Sequence, residues 1–160
     1  MATAVPHASL AAPRLADPSP LAWRLGHAGL LPFIGGALLV WLVRPDVHPY
    51  VALALSGYAA VIVSFLGGIH WGLAMRCAPS SPAPPPATWL VWGIAASLVA
   101  WVAVVMPPNA GLVIHGLMLL ACYLVDRRIY PAAGAAAWLT LRFRLSAVAA
   151  VSCFVGAAGS

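Results

Sequence analysis

The chain has 160 residues, of which 63% are hydrophobic and 7% charged, and it carries a formal net charge of +5. Soluble domains hold roughly a quarter charged residues, and a soluble fold of this composition would expose wide apolar patches; the bilayer is the solvent that suits it. A basic excess also invites a nucleic-acid reading, but the positions of the basic residues argue against one.

Residues 1–22 are rich in alanine and proline. They contain no apolar run of the kind that forms a signal-peptide core, and Pro6, Pro13, Pro18 and Pro20 oppose a continuous helix. A flexible cytoplasmic tail is predicted there, followed by a single transmembrane domain over 23–160. Five apolar segments follow, at about 25–43, 50–75, 88–106, 110–125 and 141–159. A helical span needs about 20 apolar residues to cross roughly 30 Å of hydrocarbon. The first three segments meet that length. The fourth is short, and the fifth needs its arginines to reach back to the interface. The predicted fold class is therefore all-α, a polytopic membrane protein of about five transmembrane helices, with four spans and a surface helix as the alternative.

The breaks between segments are chemically marked. Arg44-Pro45-Asp46 closes the first span, a stretch with five prolines between Cys77 and Ala87 closes the second, and Pro107-Pro108-Asn109 turns the third into the fourth. Asp126-Arg127-Arg128 is read as the end of the fourth. The proline-rich stretch reads as a stiff spacer. Pro32, followed by Gly35 and Gly36, predicts a kink in the first span.

All eight basic residues are arginine, and lysine and glutamate are absent, a usage that suggests a GC-rich bacterial genome. With five spans, Arg14, Arg24, Arg76, Arg127, Arg128, Arg142 and Arg144 share one side and Arg44 alone is on the other. That asymmetry predicts the N-terminus inside and the C-terminus outside, and it accounts for the basic charge with no nucleic acid as partner. Trp23, Trp41, Tyr50, Trp71, Trp89, Tyr123 and Trp138 fall near predicted span ends, where an apolar ring with one polar group is at home.

Few residues carry chemistry. In the second span Ala60, Ser64, Gly68 and Gly72 recur at steps of four, with Gly67 beside Gly68. Small residues on one helical face let a second helix approach closely, either within the chain or in a homo-oligomer. His70 lies six residues before Arg76, about 9 Å by helix rise, and an ionisable group at that depth is a functional candidate. His115 lies near the opposite face. His27 and His70 with Cys77 form too loose a set to indicate haem or zinc, and no cofactor or metal is expected. Cys77, Cys122 and Cys153 lack CxxC spacing and read as packing residues. Asp126 is the one acid near the inner face, flanked by Arg127, Arg128, Arg142 and Arg144. It reads as a clasp between the fourth and fifth spans, or else the spare arginines hold anionic lipid headgroups. His70, Trp71, Asp126, Arg142 and Arg144 together make a candidate inner-face polar cluster. No phosphate loop, HExxH or nucleophile elbow is present, so a catalytic role is not expected.

Residues 58–72, YAAVIVSFLGGIHWG, resemble the signature of the domain of unknown function 3429 family, whose animal relative is transmembrane protein 69. Residues 25–33, LGHAGLLPF, and 137–146, AWLTLRFRLS, are similar to two further parts of that pattern. The resemblance implies a small multi-span protein of bacterial inner membranes or, in a eukaryote, mitochondrial membranes, with no activity to carry over. It singles out Gly67, Gly68, His70, Trp71, Gly72 and Arg142, and Arg144 stands where the family often has proline. The expected role is a non-enzymatic accessory or assembly partner of a membrane complex, with the bilayer, a membrane protein or a second copy as partners. A small oligomeric transporter or channel is the alternative.

Overall fold

The computed structural model describes residues 15–76 and 87–160. The proline-rich spacer, Cys77 and the first fourteen residues of the predicted tail lie outside them. The described chain forms six α-helices: α1 (Pro20–Ala28), α2 (Leu31–Leu42), α3 (His48–Met75), α4 (Ala87–Val105), α5 (Pro108–Ala132) and α6 (Leu139–Ala158). With α1 and α2 taken as one broken span, five segments among the described residues are long and apolar enough to cross a membrane.

The first span begins earlier than expected, and part of the predicted tail is ordered structure. Ser19 caps α1 by accepting from the Ala22 N–H, and Pro20 occupies the first turn. Proline there sacrifices no helical hydrogen bond, because that N–H has no intrahelical partner anyway. Ahead of the cap, the Leu15 N–H donates to the Gly134 carbonyl and the Trp138 indole to the Ala16 carbonyl, tying this segment to the turn before α6. In place of a kink at Pro32, the first span is divided into two helices, α1 and α2. Pro32 stands in the first turn of α2, and the run of helix is interrupted just before it at Gly29 and Leu30, whose dihedral angles stay in the right-handed helical region. The Tyr58 hydroxyl of α3 donates to the Gly29 carbonyl over 2.8 Å, so the break is closed by a side chain.

The fourth span differs most from expectation. Asp126-Arg127-Arg128 does not end the helix; α5 runs on to Ala132. These charges mark where the apolar stretch stops, and they are compatible with continued helix because their side chains do not interfere with backbone hydrogen bonds. Two residues past its end stands Gly134, whose φ of 72° places it in the left-handed region. The Ala135 N–H returns to the Tyr130 carbonyl and the Gly134 N–H to the Pro131 carbonyl, a paired closure that satisfies the last carbonyls.

α3 is the central element and packs on α2, α4, α5 and α6. The core is built largely from small residues, among them Ala52, Ala59, Ala96, Ala100, Ala149 and Ala150, with Phe33, Val63, Leu66, Leu112 and Leu119 filling between them. Larger side chains such as Leu25, Phe65, Trp101 and Leu117 project outward. Helices in lipid gain little by hiding leucine from the solvent, so close backbone approach supplies the packing. At the α3–α4 crossing, a methyl on Gly67 would stand 2.6 Å from the Gly93 carbonyl, and one on Gly93 would stand 2.7 Å from the Gly67 carbonyl. Neither position has room for a side chain.

The rest of the predicted packing stripe is corrected. Ala60 packs against the core and Ser64 is half-buried, but Gly68 and Gly72 are exposed, with nothing within 4 Å of a methyl added to either. The reason is angular. Steps of four advance about 40° beyond a full turn at 3.6 residues per turn, so Gly72 is rotated by about 120° from Ala60. The stripe drifts off the α4 contact onto the outer surface.

Candidate functional site

Three helices deliver one polar side chain each to a common point inside the bundle. His70 comes from α3, five residues before its last position; Asp126 comes from α5, and Arg142 from the first turn of α6. His70 and Asp126 are fully buried and Arg142 nearly so. Arg142 Nε donates to Asp126 Oδ2 over 2.7 Å, and a terminal guanidinium nitrogen lies 2.6 Å from the same oxygen. The other carboxylate oxygen faces His70 Nε2 at 3.3 Å, within ion-pair distance but not aligned as a hydrogen bond. The second ring nitrogen, Nδ1, lies 3.3 Å from the Leu66 carbonyl one turn earlier. Both imidazole nitrogens thus face oxygens.

Removing an ion pair from water costs several kcal/mol per charge unless geometry and further hydrogen bonds offset it. Arg142 and His70 approach Asp126 on separate oxygens, which is the arrangement such burial requires. The pair joins α5 to α6 and the histidine joins both to α3, so the cluster fastens three helices at one depth.

Two members of the predicted cluster lie elsewhere. The Trp71 indole points to α4 and donates to the Leu90 carbonyl over 3.1 Å. Arg144 is exposed, and its guanidinium sits 5.5 Å above the Trp23 ring, which stacks on His27. Successive helical residues diverge by about 100°, so neither Trp71 beside His70 nor Arg144 two positions from Arg142 shares its neighbour's face. His27 Nδ1 is 2.8 Å from the Trp23 carbonyl of its own helix. Among the described residues, no three histidine, cysteine or acidic side chains converge as a metal site.

Two neighbours escaped the sequence reading. Tyr130 is buried one turn beyond Asp126, with its ring 6.4 Å from that of His70. Ser146 is buried one turn beyond Arg142, and its hydroxyl has no hydrogen-bond partner among the described residues. The signal for both was spacing of i to i+4, readable for Tyr130 only once α5 is known to continue past Asp126. Arg142, Tyr130 and Ser146 contribute polar groups to the lining of a cavity of about 570 Å³ between α1, α2, α3, α5 and α6. His115, buried in the other half of α5, likewise has both ring nitrogens unpartnered among the described residues.

A model of the family described as "Protein of unknown function (DUF3429)" matches residues 18–158. Transmembrane protein 69 of Xenopus tropicalis is 42% identical over 97 residues, covering 58% of this chain and 37% of that protein. Transmembrane protein 69 of Mus musculus is 35% identical over 77 residues, covering 48% and 30% respectively. These matches span about a third of the length of the curated relatives. No solved structure matches the chain.

Proposed function

The chain belongs to the family described as "Protein of unknown function (DUF3429)", and from that premise we propose that this multi-pass membrane protein is a non-enzymatic accessory or assembly partner of a larger membrane complex. The observation that carries the reading is the outer face of α3. Gly57, Gly68 and Gly72 lie along it with open space where each would bear a side chain. Glycine inside a helix costs about 1 kcal/mol relative to alanine, and a surface that meets only lipid has no use for it. A face kept flat by glycine admits the backbone of another helix. We place the arginine-rich end of the bundle on the cytoplasmic side of a bacterial inner membrane, by the same charge asymmetry that sets orientation generally.

Purification from native membranes in mild detergent tests the proposal with the wild type and Gly68→Leu. The wild type is expected to bring down a stoichiometric partner, or a second copy of itself. Gly68→Leu should lose that partner while the isolated chain melts as before, because its new side chain meets nothing within the molecule. A wild-type chain that elutes alone as a monomer overturns the reading. The alternative, a small oligomeric transporter, draws on the buried charges among the helices. It fails if liposomes holding only this protein show no flux of protons or small ions.

A further inference from the structure

The cavity beside the buried polar cluster holds a polar group deep in the bundle and opens to one side, and these two features together specify an occupant. Its walls are almost wholly apolar: Leu25 and Phe33 from the first span, Ile62 and Leu66 from α3, and Leu145 and Ala149 from α6. Leu25 and Phe65 line it and are themselves largely exposed. They form its rim, so the cavity opens sideways between α1 and α3 toward the lipid. Its volume of about 570 Å³ falls within the roughly 300–1,000 Å³ usual for small-molecule sites.

Depth narrows the choice. The lining begins at Leu73 on α3 and at Trp138 on α6, at the arginine-rich end of the bundle. Phe65 and Ser146 each stand eight residues further in along their own helices, about 12 Å at 1.5 Å per residue. That is most of the way to the middle of a hydrocarbon core roughly 30 Å thick. The rim and the buried hydroxyl therefore share a depth well inside the leaflet. The Ser146 hydroxyl has no partner among the described residues, an unfavourable state unless something accepts from it. Arg142 also lines the cavity, four residues nearer the interface, or about 6 Å by helix rise. It meets Asp126 through two nitrogens, and a guanidinium carries five N–H donors, so donors remain. Asp126 already balances its charge. The complementary molecule thus carries two uncharged acceptors held apart by a rigid body, and it resides within the hydrocarbon. A glycerolipid fails at this depth, because its esters stay at the interface. A membrane quinone meets both conditions: its two carbonyls stand on opposite edges of an uncharged ring, and its tail is a hydrocarbon.

We propose that this cavity binds the ring of an isoprenoid quinone. One ring carbonyl accepts from the Ser146 hydroxyl and the other from a spare N–H of Arg142. The tail leaves between Leu25 and Phe65 into the bilayer.

Native mass spectrometry of the detergent-purified chain tests this with two added probes. One is a menaquinone with a tail of two isoprene units; the other is the matching naphthalene, which has the same rings and tail but no carbonyls. The wild type is expected to retain one quinone and to prefer it over the hydrocarbon by about twentyfold, the worth of two hydrogen bonds. Ser146→Ala adds no volume and should reduce that preference by about fivefold, the worth of one. Ala22→Phe, which fills the cavity from α1, should lower occupancy by either probe, whereas Val151→Phe on the outer face of α6 should not. Ser146→Ala keeps the test valid should Ala22→Phe misfold. Equal retention of the two probes by the wild type overturns the proposal. So does an unchanged preference in Ser146→Ala, which would mean that the hydroxyl bonds back to its own helix. Displacement of the quinone by an equal concentration of palmitate would overturn it by making the ligand an anion. Quinone uptake that appears only after residues 1–14 are removed would do so by making the chain's own N-terminal segment the occupant.

Discussion

Two arginine–aspartate pairs stand at opposite ends of the bundle, and at closest approach they are nearly the same length. Arg44 and Asp46 meet at 2.7 Å in the turn between α2 and α3, with side chains 81% and 60% exposed. Arg142 and Asp126 meet at 2.6 Å between α5 and α6, with side chains 9% and 1% exposed. The first pair joins residues two apart in a turn already closed by backbone hydrogen bonds, the Val47 N–H to the Arg44 carbonyl among them. The second joins two helices and also meets a third through His70. Length alone therefore says little about what an ion pair does. In water, Coulomb attraction is screened and the side chains lose entropy in meeting. In the bundle interior, loss of either partner leaves the other charge buried.

The comparison is most directly broken by removing one buried partner. Arg142→Leu strands the Asp126 carboxylate and is expected to cost about 3–5 kcal/mol, read as a large drop in melting temperature in detergent. Asp126→Asn should also destabilise. Exchanging the charges, Asp126→Arg with Arg142→Asp, should restore part of the loss. No recovery would mean that the pair does not act as a clasp. His70→Leu comes next, leaving one carboxylate oxygen without its neighbour at a cost of about 1–3 kcal/mol. An unchanged melting temperature would show that the histidine contributes only volume.

Replacing the buried pair wholesale sharpens the contrast. Asp126→Leu combined with Arg142→Met removes both charges and retains bulk, and should lie within about 1 kcal/mol of wild type. A double variant as unstable as Arg142→Leu would show that the charges themselves hold the helices. The smallest effect belongs to the exposed pair. Hydrogen bonding from Arg44 holds the Asp46 carboxyl below its ordinary range and raises the Arg44 guanidinium. A lowered carboxyl pKa contributes stability that is fully present above the unfolded value of about 3.9 and is lost as pH falls through the folded value. Because both side chains stand in water, Asp46→Asn should leave the melting temperature unchanged between pH 7 and pH 4, and added salt should make no difference. A clear drop at neutral pH would mean that the turn depends on the pair.

Much of this contrast was visible in the residues. Apart from Asp17 in the N-terminal segment, Asp126 is the one acid near its membrane face, and an unpaired carboxylate there is too costly to stand alone, so an arginine partner was predictable. Choosing Arg142 over Arg144 was not, because the choice depends on how α6 is rotated against α5. Trp71 illustrates the same limit: it adjoins His70 in sequence yet faces α4. Tyr130 was missed for another reason. Hydropathy changes sign at Asp126, and the end of the apolar stretch was read as the end of the helix. Backbone hydrogen bonds continue to Ala132 regardless, until Gly134 turns the chain.

The amino-acid sequence by itself determined the solvent, the helical class, five spans, an irregularity at Pro32 and the presence of an acid that needed a partner. These follow from composition and local stereochemistry, which act within one helix at a time. Only the tertiary structure decided which face of each helix meets another. Gly67 lies against Gly93 while Gly68 stays open, three polar groups converge on one point, and a cavity remains beside them. A rotation of 100° separates adjacent helical residues, and that angle is set by the packing of partners distant in the chain.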